Sequence, residues 1–133
     1  MPDAPALVTV LGVDDHPRFL DAARAVVEAT PGFRWAGGVT SGVEALAAAD
    51  REEPDLMLVD VNMPEMDGFQ LARELGSSHP HTLVALITAQ HPDELPRRGE
   101  EATGPSVLAK ERLRPAWLRS LWREHRGSLP PEK

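Results

Sequence analysis

Cysteine is absent from all 133 residues. Neither a disulfide frame nor a thiolate metal site can form, which suits a reducing compartment. Met1 is followed by Pro, Asp, Ala and Pro instead of a basic segment and an apolar run, so no export is expected. No later apolar run approaches the ~18 residues of a membrane span. The expectation is a cytoplasmic protein with no membrane segment. Basic residues are in deficit, with 14 Lys and Arg against 21 Asp and Glu and a net charge of −7. Such a surface repels phosphate backbones, so direct nucleic-acid binding by this chain is disfavoured. No internal repeat is present. The length fits one domain with a core that needs no staples.

What is present is an alternation of apolar runs and amphipathic stretches. Ala6 to Val13, "ALVTVLGV", reads as a strand buried on both faces, ending in Asp14 and Asp15. Pro17 opens a helix carrying Leu20, Ala23 and Val27, and Pro31-Gly32 stops it. Phe33 to Val39 is a weaker strand. Ser41 and Glu44 have capping-box spacing and start an Ala-rich helix that runs to about Glu53 and is closed by Pro54. Leu56 to Asp60 is the third strand, and Asp67 caps a helix to about Leu75. Thr82 to Thr88 and Pro105 to Ala109 are the fourth and fifth strands. Between them, Gln90 to Gly104 holds Pro92, Pro96, Gly99 and Gly104, which predicts an irregular fourth helix. A final helix from about Arg114 to His125 carries Leu118, Leu121 and Trp122. Residues 127–133 read as a flexible tail or linker stub after a domain spanning 1–126. The alternation implies an α/β fold, a doubly wound parallel sheet with helices on both faces. Right-handed crossovers then bring the C-terminal ends of all strands to one edge.

That edge gathers chemistry. The first strand delivers Asp14 and Asp15, the third Asp60, the fourth Thr88 and the fifth Lys110. Carboxylates at close quarters repel and raise one another's pKa unless a cation joins them. Hard oxygen ligands, few in number and leaving room for water and phosphate, suit Mg²⁺. A hydroxyl and an ammonium facing the cluster suit an anion arriving on one carboxylate. Asp60 then reads as a nucleophile that becomes an acyl phosphate, with Thr88 and Lys110 holding phosphoryl oxygens.

"VDDHP" at 13–17, "LMLVDVNMPEMDG" at 56–68, "ALITAQ" at 85–90 and "VLAK" at 107–110 resemble, in order, the motifs of receiver domains of two-component response regulators. "DDHPRF" is most similar to the NarL-like class, and these 133 residues are expected to carry the receiver without the DNA-binding domain. The resemblance implies a flavodoxin-like sheet of order 2-1-3-4-5 and phosphotransfer to Asp60 from a histidine kinase or phosphotransfer protein. It implies Mg²⁺ on Asp15, Asp60 and the Asn62 backbone carbonyl, with Asp14 acting through water. It also implies that the side chains of Asn62 and Gln90 tune phosphate loss. On this reading the chain is a phosphoacceptor rather than an enzyme, and its output runs through an effector at the face of the fourth helix, fifth strand and fifth helix.

Each residue also has a plainer reading. A lone carboxylate after a strand usually caps a turn, a lone Thr88 is a strand residue, and a lone Lys110 is a surface lysine. His16 is read as a helix-start residue, although two neighbouring aspartates suggest a metal ligand. His79, His81, His91 and His125 are read as solvated. Met57, Met63 and Met66 are read as packing, and at least one of Trp117 and Trp122 as core. Departures from the family pattern fall on the output face. Val107 stands where Tyr or Phe is usual, and Glu111 follows Lys110 where Pro is usual, which predicts a trans bond. The alternatives are a non-switching interaction module or the N-terminal receiver of a longer DNA-binding regulator. A haloacid-dehalogenase-type phosphatase fits less well, because it needs a second Asp where Asn62 stands.

Overall fold

The computed structural model describes residues 7–63, 65–89 and 107–127. Its elements run β1 (Val8–Val13), α1 (Pro17–Glu28), β2 (Phe33–Val39), α2 (Gly42–Glu52), β3 (Leu56–Asp60), α3 (Gly68–Ser78), β4 (Leu83–Thr88) and β5 (Val107–Ala109), followed by a turn of 3-10 helix (Lys110–Arg112) and α4 (Pro115–Gly127). The sheet has five strands in the order β2-β1-β3-β4-β5, and every pairing is parallel. This is the doubly wound sheet expected from the alternation, in the flavodoxin-like order that the resemblance implies. The expected irregular fourth helix and the tail beyond 127 lie outside the described residues.

Strand alternation sends side chains to two cores. Leu11, Val13, Met57, Val59, Val84 and Leu86 pack under α2 and α3 with Ala45, Ala49, Leu71 and Leu75. Val10, Leu56, Leu58, Ala85 and Ile87 face the other way, toward Ala23 and Val27 of α1 and Leu118 of α4. The central strand β3 is buried at every position, as a strand covered on both faces must be. The edge strand β2 is half-exposed and carries a register shift opposite Val10 and Leu11, which accounts for its weaker sequence signal.

Local chemistry sets the helix starts. Ser41 Oγ accepts from the Glu44 N–H at 3.1 Å. Glu44 Oε1 reaches back one residue beyond the expected capping box, accepting from the Thr40 N–H at 3.1 Å. Asp67 Oδ1 accepts from the Gln70 N–H at 2.8 Å. Both caps satisfy amides that a helix leaves without internal partners. Met57 and Met63 are buried in the core and Met66 packs against it. Trp117 packs on the opposite core. Against expectation, His79 is not solvated: its ring is 16% exposed and its Nε2 lies 2.9 Å from Asp50 Oδ1. It follows the last turn of α3, where the chain turns back toward the sheet and draws the ring inward. No helix among the described residues is long and apolar enough to cross a membrane.

Candidate functional site

The C-terminal edge of the sheet is where the side chains singled out in the sequence meet. Asp14 follows β1, and its N–H is tied to the Val39 carbonyl of β2 at 3.0 Å. Its carboxylate is fully buried. Asp14 Oδ1 accepts from the His16 N–H at 2.8 Å, and the His16 ring Nδ1 lies 3.0 Å away. Asp14 Oδ2 lies 2.5 Å from Lys110 Nζ. Asp60 is the last residue of β3, pairs with Ile87 of β4 and is 2% exposed. Its Oδ1 accepts from the Asn62 N–H at 3.3 Å, and its Oδ2 lies 3.9 Å from Lys110 Nζ. Thr88, fully buried, ends β4 opposite Ala109. Lys110 begins the turn after β5.

Asp60 is held in place by the start of the next helix. A Cβ on Gly68 would sit 2.5 Å from the Asp60 carbonyl oxygen and 2.7 Å from Val61 Cα. Both are backbone atoms with little room to yield, so only glycine lets α3 begin against the end of β3. Val61 accepts from the Gly68 N–H at 3.1 Å and donates to Ile87 at 2.9 Å, which closes the loop over the strand end. That is the physical use of the Met-Asp-Gly following the buried strand.

The electrostatics are strained in a definite direction. Burial, reinforced by the Asp14 charge, pushes the Asp60 carboxyl from its ordinary 3.8 up to about 6, while Lys110 and the Asn62 N–H pull the other way. Ligand atoms of Asp14, Asp15, His16 and Asp60 all lie within 4.8 Å of one another. Asp14 Oδ2, in ionic contact with Lys110, and Asp15 Oδ1 are buried oxygens that make no hydrogen bond. Buried polar atoms ordinarily find partners. A small group of hard carboxylate oxygens, here faced by one ammonium and one imidazole, is a donor set that suits a divalent cation such as Mg²⁺.

The structure thus brings together Asp14, Asp15, Asp60 and Lys110, and places Thr88 at the neighbouring strand end. Asn62 follows Asp60 in the loop as an exposed residue. Gln90 lies outside the described residues. Val107 pairs with Leu86 and is partly buried against the α2–α3 core. No cis peptide bond occurs among the described residues, as expected with Glu111 after Lys110. One feature was missed in the sequence, and one was weighed there and set aside. Lys110 Nζ stands 4.5 Å from the centroid of the Phe19 ring of α1, a cation–π contact for which no local signal exists. The His16 ring turns toward the aspartates and does not cap the helix it precedes. A separate cleft of about 650 Å³ runs along α2 and α3, lined by Leu46, Asp50, Gln70, Arg73 and His79 and by none of the acidic-edge residues.

Comparison with known proteins agrees with this geometry. The response regulator receiver domain family model matches residues 10–119. The response regulator GacA of Pseudomonas viridiflava is 32% identical over 104 residues, covering 78% of this chain and 49% of that protein. A protein-glutamate methylesterase/protein-glutamine glutaminase of Methanospirillum hungatei is 31% identical over 111 residues, covering 84% of this chain and 31% of that protein. The chain therefore spans about half or less of the length of these curated relatives. Among solved structures, the signal receiver domain of a NarL response regulator from Mycobacterium tuberculosis superposes with a TM-score of 0.79 at 28% identity, covering 92% of this chain and 99% of that one. A CheY-like receiver from Methanospirillum hungatei shares the fold at a TM-score of 0.74 and 22% identity, covering 90% of this chain and 94% of that one. With the family model matched over most of its length and its acidic cluster at the sheet edge, the chain belongs to the response regulator receiver domain family of two-component systems.

Proposed function

We propose that the chain is a phosphorylation switch whose acceptor is Asp60. The observation that carries this reading is the convergence on one edge of a buried carboxylate, two further aspartates and a lysine ammonium. An Asp60 oxygen attacks the phosphorus of a phosphohistidine donor. The P–N bond breaks, its electron pair returns to the imidazole, and an acyl phosphate remains on Asp60. Asp14, Asp15, Asp60 and the Asn62 carbonyl would hold Mg²⁺, whose charge neutralises phosphoryl oxygens. Lys110 already lies within reach of Asp14 and Asp60 and transfers its charge-assisted contact to the phosphoryl group. Thr88 supplies a hydroxyl donor from the neighbouring strand end. With a pKa near 6, Asp60 is mostly ionised at neutral pH and available as nucleophile. The donor is a histidine kinase or phosphotransfer protein of a cytoplasmic relay. Residues 1–126 form the receiver, and output passes to an effector on the side of β5 and α4.

Mg²⁺-dependent labelling with acetyl phosphate, read by mass spectrometry, tests this. A phosphoryl group on Asp60 supports the reading, whereas one on Asp14 or Asp15, or none, refutes it. One observation favours a second reading, a non-switching interaction module. Val107, packed against the core, cannot swing a ring across the surface as the usual aromatic would. An NMR spectrum unchanged by beryllofluoride in a protein that still binds Mg²⁺ would establish that second reading.

A further inference from the structure

Four side chains offer ligand atoms at the acidic edge, and the proposed phosphotransfer uses only three of them as metal ligands. The fourth is His16. As the residue preceding α1 it occupies the position where a side chain normally accepts from the first helical amides, yet it makes no such bond. Its ring points the other way. Nδ1 lies 3.0 Å from Asp14 Oδ1 and 3.1 Å from Asp15 Oδ1, so one nitrogen faces both carboxylates. The ring is 67% exposed, so the main chain does not have to move for it to adjust. Pro17 in the first turn and the His16 carbonyl, which accepts from Phe19 and Leu20, hold the backbone of the residue.

We propose that His16 is a nitrogen ligand of the divalent-cation site at this edge, and that it biases the site toward borderline ions such as Co²⁺ or Zn²⁺ over Mg²⁺. This rests on the reading of Asp14, Asp15 and Asp60 as a cation site. The ligand atoms of the four residues lie within 4.8 Å of one another. Opposite ligands around an ion at about 2.1 Å are about 4.2 Å apart, so little rearrangement is needed to close the set. An all-oxygen set favours hard Mg²⁺, which keeps much of its water. Replacing one oxygen or water by an imidazole raises affinity along the first-row series and does little for Mg²⁺. His16 thereby becomes a determinant of which ion occupies the site when several compete.

The experiment is calorimetric titration of the whole chain with MgCl₂ and, separately, CoCl₂ in one buffer, together with the visible absorption of bound Co²⁺. The proteins are the wild type, His16→Asn and Asp60→Asn. Asparagine is a good residue before a helix, so His16→Asn protects the fold, which circular dichroism checks. The expected result is that His16→Asn lowers the preference for Co²⁺ over Mg²⁺ by at least the about tenfold that even an outer partner of a metal contributes. Mg²⁺ affinity should stay close to wild type, and the Co²⁺ absorption band should shift. An unchanged Co²⁺/Mg²⁺ ratio with an unchanged band overturns the proposal, as does a parallel fall in both affinities, which marks a purely structural role. Binding of both ions undiminished in Asp60→Asn places them away from this edge and also overturns it. If the wild type binds neither ion, the cation site itself is refuted; if Mg²⁺ binds normally and only the ratio is indifferent to His16, the phosphorylation reading stands.

Discussion

Two aspartates bracket the central strand, and they lead opposite lives. Asp55 precedes β3. Its Oδ2 accepts from the Thr9 N–H at 2.9 Å and from Thr9 Oγ1 at 3.2 Å, while its own N–H donates to the Thr9 hydroxyl and carbonyl. It staples β3 to β1. Asp60 ends the same strand, where one amide at 3.3 Å and an ammonium at 3.9 Å face it beside Asp14 and Asp15. The same side chain is structural where donors surround it. Where other carboxylates crowd it, it is left with a raised pKa, because their repulsion is only partly offset by Lys110, and it becomes the proposed acceptor.

The largest effect expected from breaking this contrast is on phosphate acceptance. Asp60→Asn should abolish acetyl phosphate labelling while leaving the circular dichroism spectrum intact, and residual label on any other carboxylate would refute the assignment. The next effect lies in the pH dependence of stability. The Asp60 carboxyl is raised in the folded state, from 3.8 to about 6, so the folded chain holds its proton more tightly than the unfolded chain. Metal-free protein should keep that advantage below about pH 4 and lose it as pH rises through about 6. The difference corresponds to about 3 kcal/mol. Urea melts across this window should show the fall in wild type and its removal in Asp60→Asn; parallel curves would contradict the strained environment.

At the other end of the strand, Asp55→Ala leaves the Thr9 amide and hydroxyl without their acceptor. It should cost about 1–3 kcal/mol in urea unfolding and leave the labelled site unchanged. Loss of labelling in a folded Asp55→Ala protein would break the division between the two ends. The smallest effects concern lifetime. The family resemblance implies that the polar, uncharged side chains of Asn62 and Gln90 tune the attack of water on the phosphorylated form. Replacing either by Ala should change the decay rate of the phosphorylated form while stability moves by no more than about 0.5 kcal/mol. Identical decay in both variants and wild type would remove their role.

Much of the fold was legible because its signals are local. Ser41 and Asp67 mark helix starts through bonds to residues three further on. The strands from Val8 to Val13 and Leu56 to Asp60 are continuous apolar runs because both faces are covered. The site residues were legible because a parallel sheet delivers every strand end to one edge, so Asp14, Asp60, Thr88 and Lys110 could be placed together from element order alone. Side-chain direction was not. His16 was correctly read as the start of a helix, but its ring chose the aspartates over the helix amides. His79 was read as solvated and is drawn inward to Asp50. The approach of Lys110 to Phe19 joins residues from opposite ends of the chain.

Sequence by itself therefore determined the order of strands and helices, their caps and the set of carboxylates at the edge. All of these follow from periodicity and from hydrogen bonds spanning a few residues. Only the tertiary structure decided which of those carboxylates is satisfied and which is left strained. That depends on which donors, charges and water-excluding neighbours surround each oxygen, and they come from strands and helices distant in the chain.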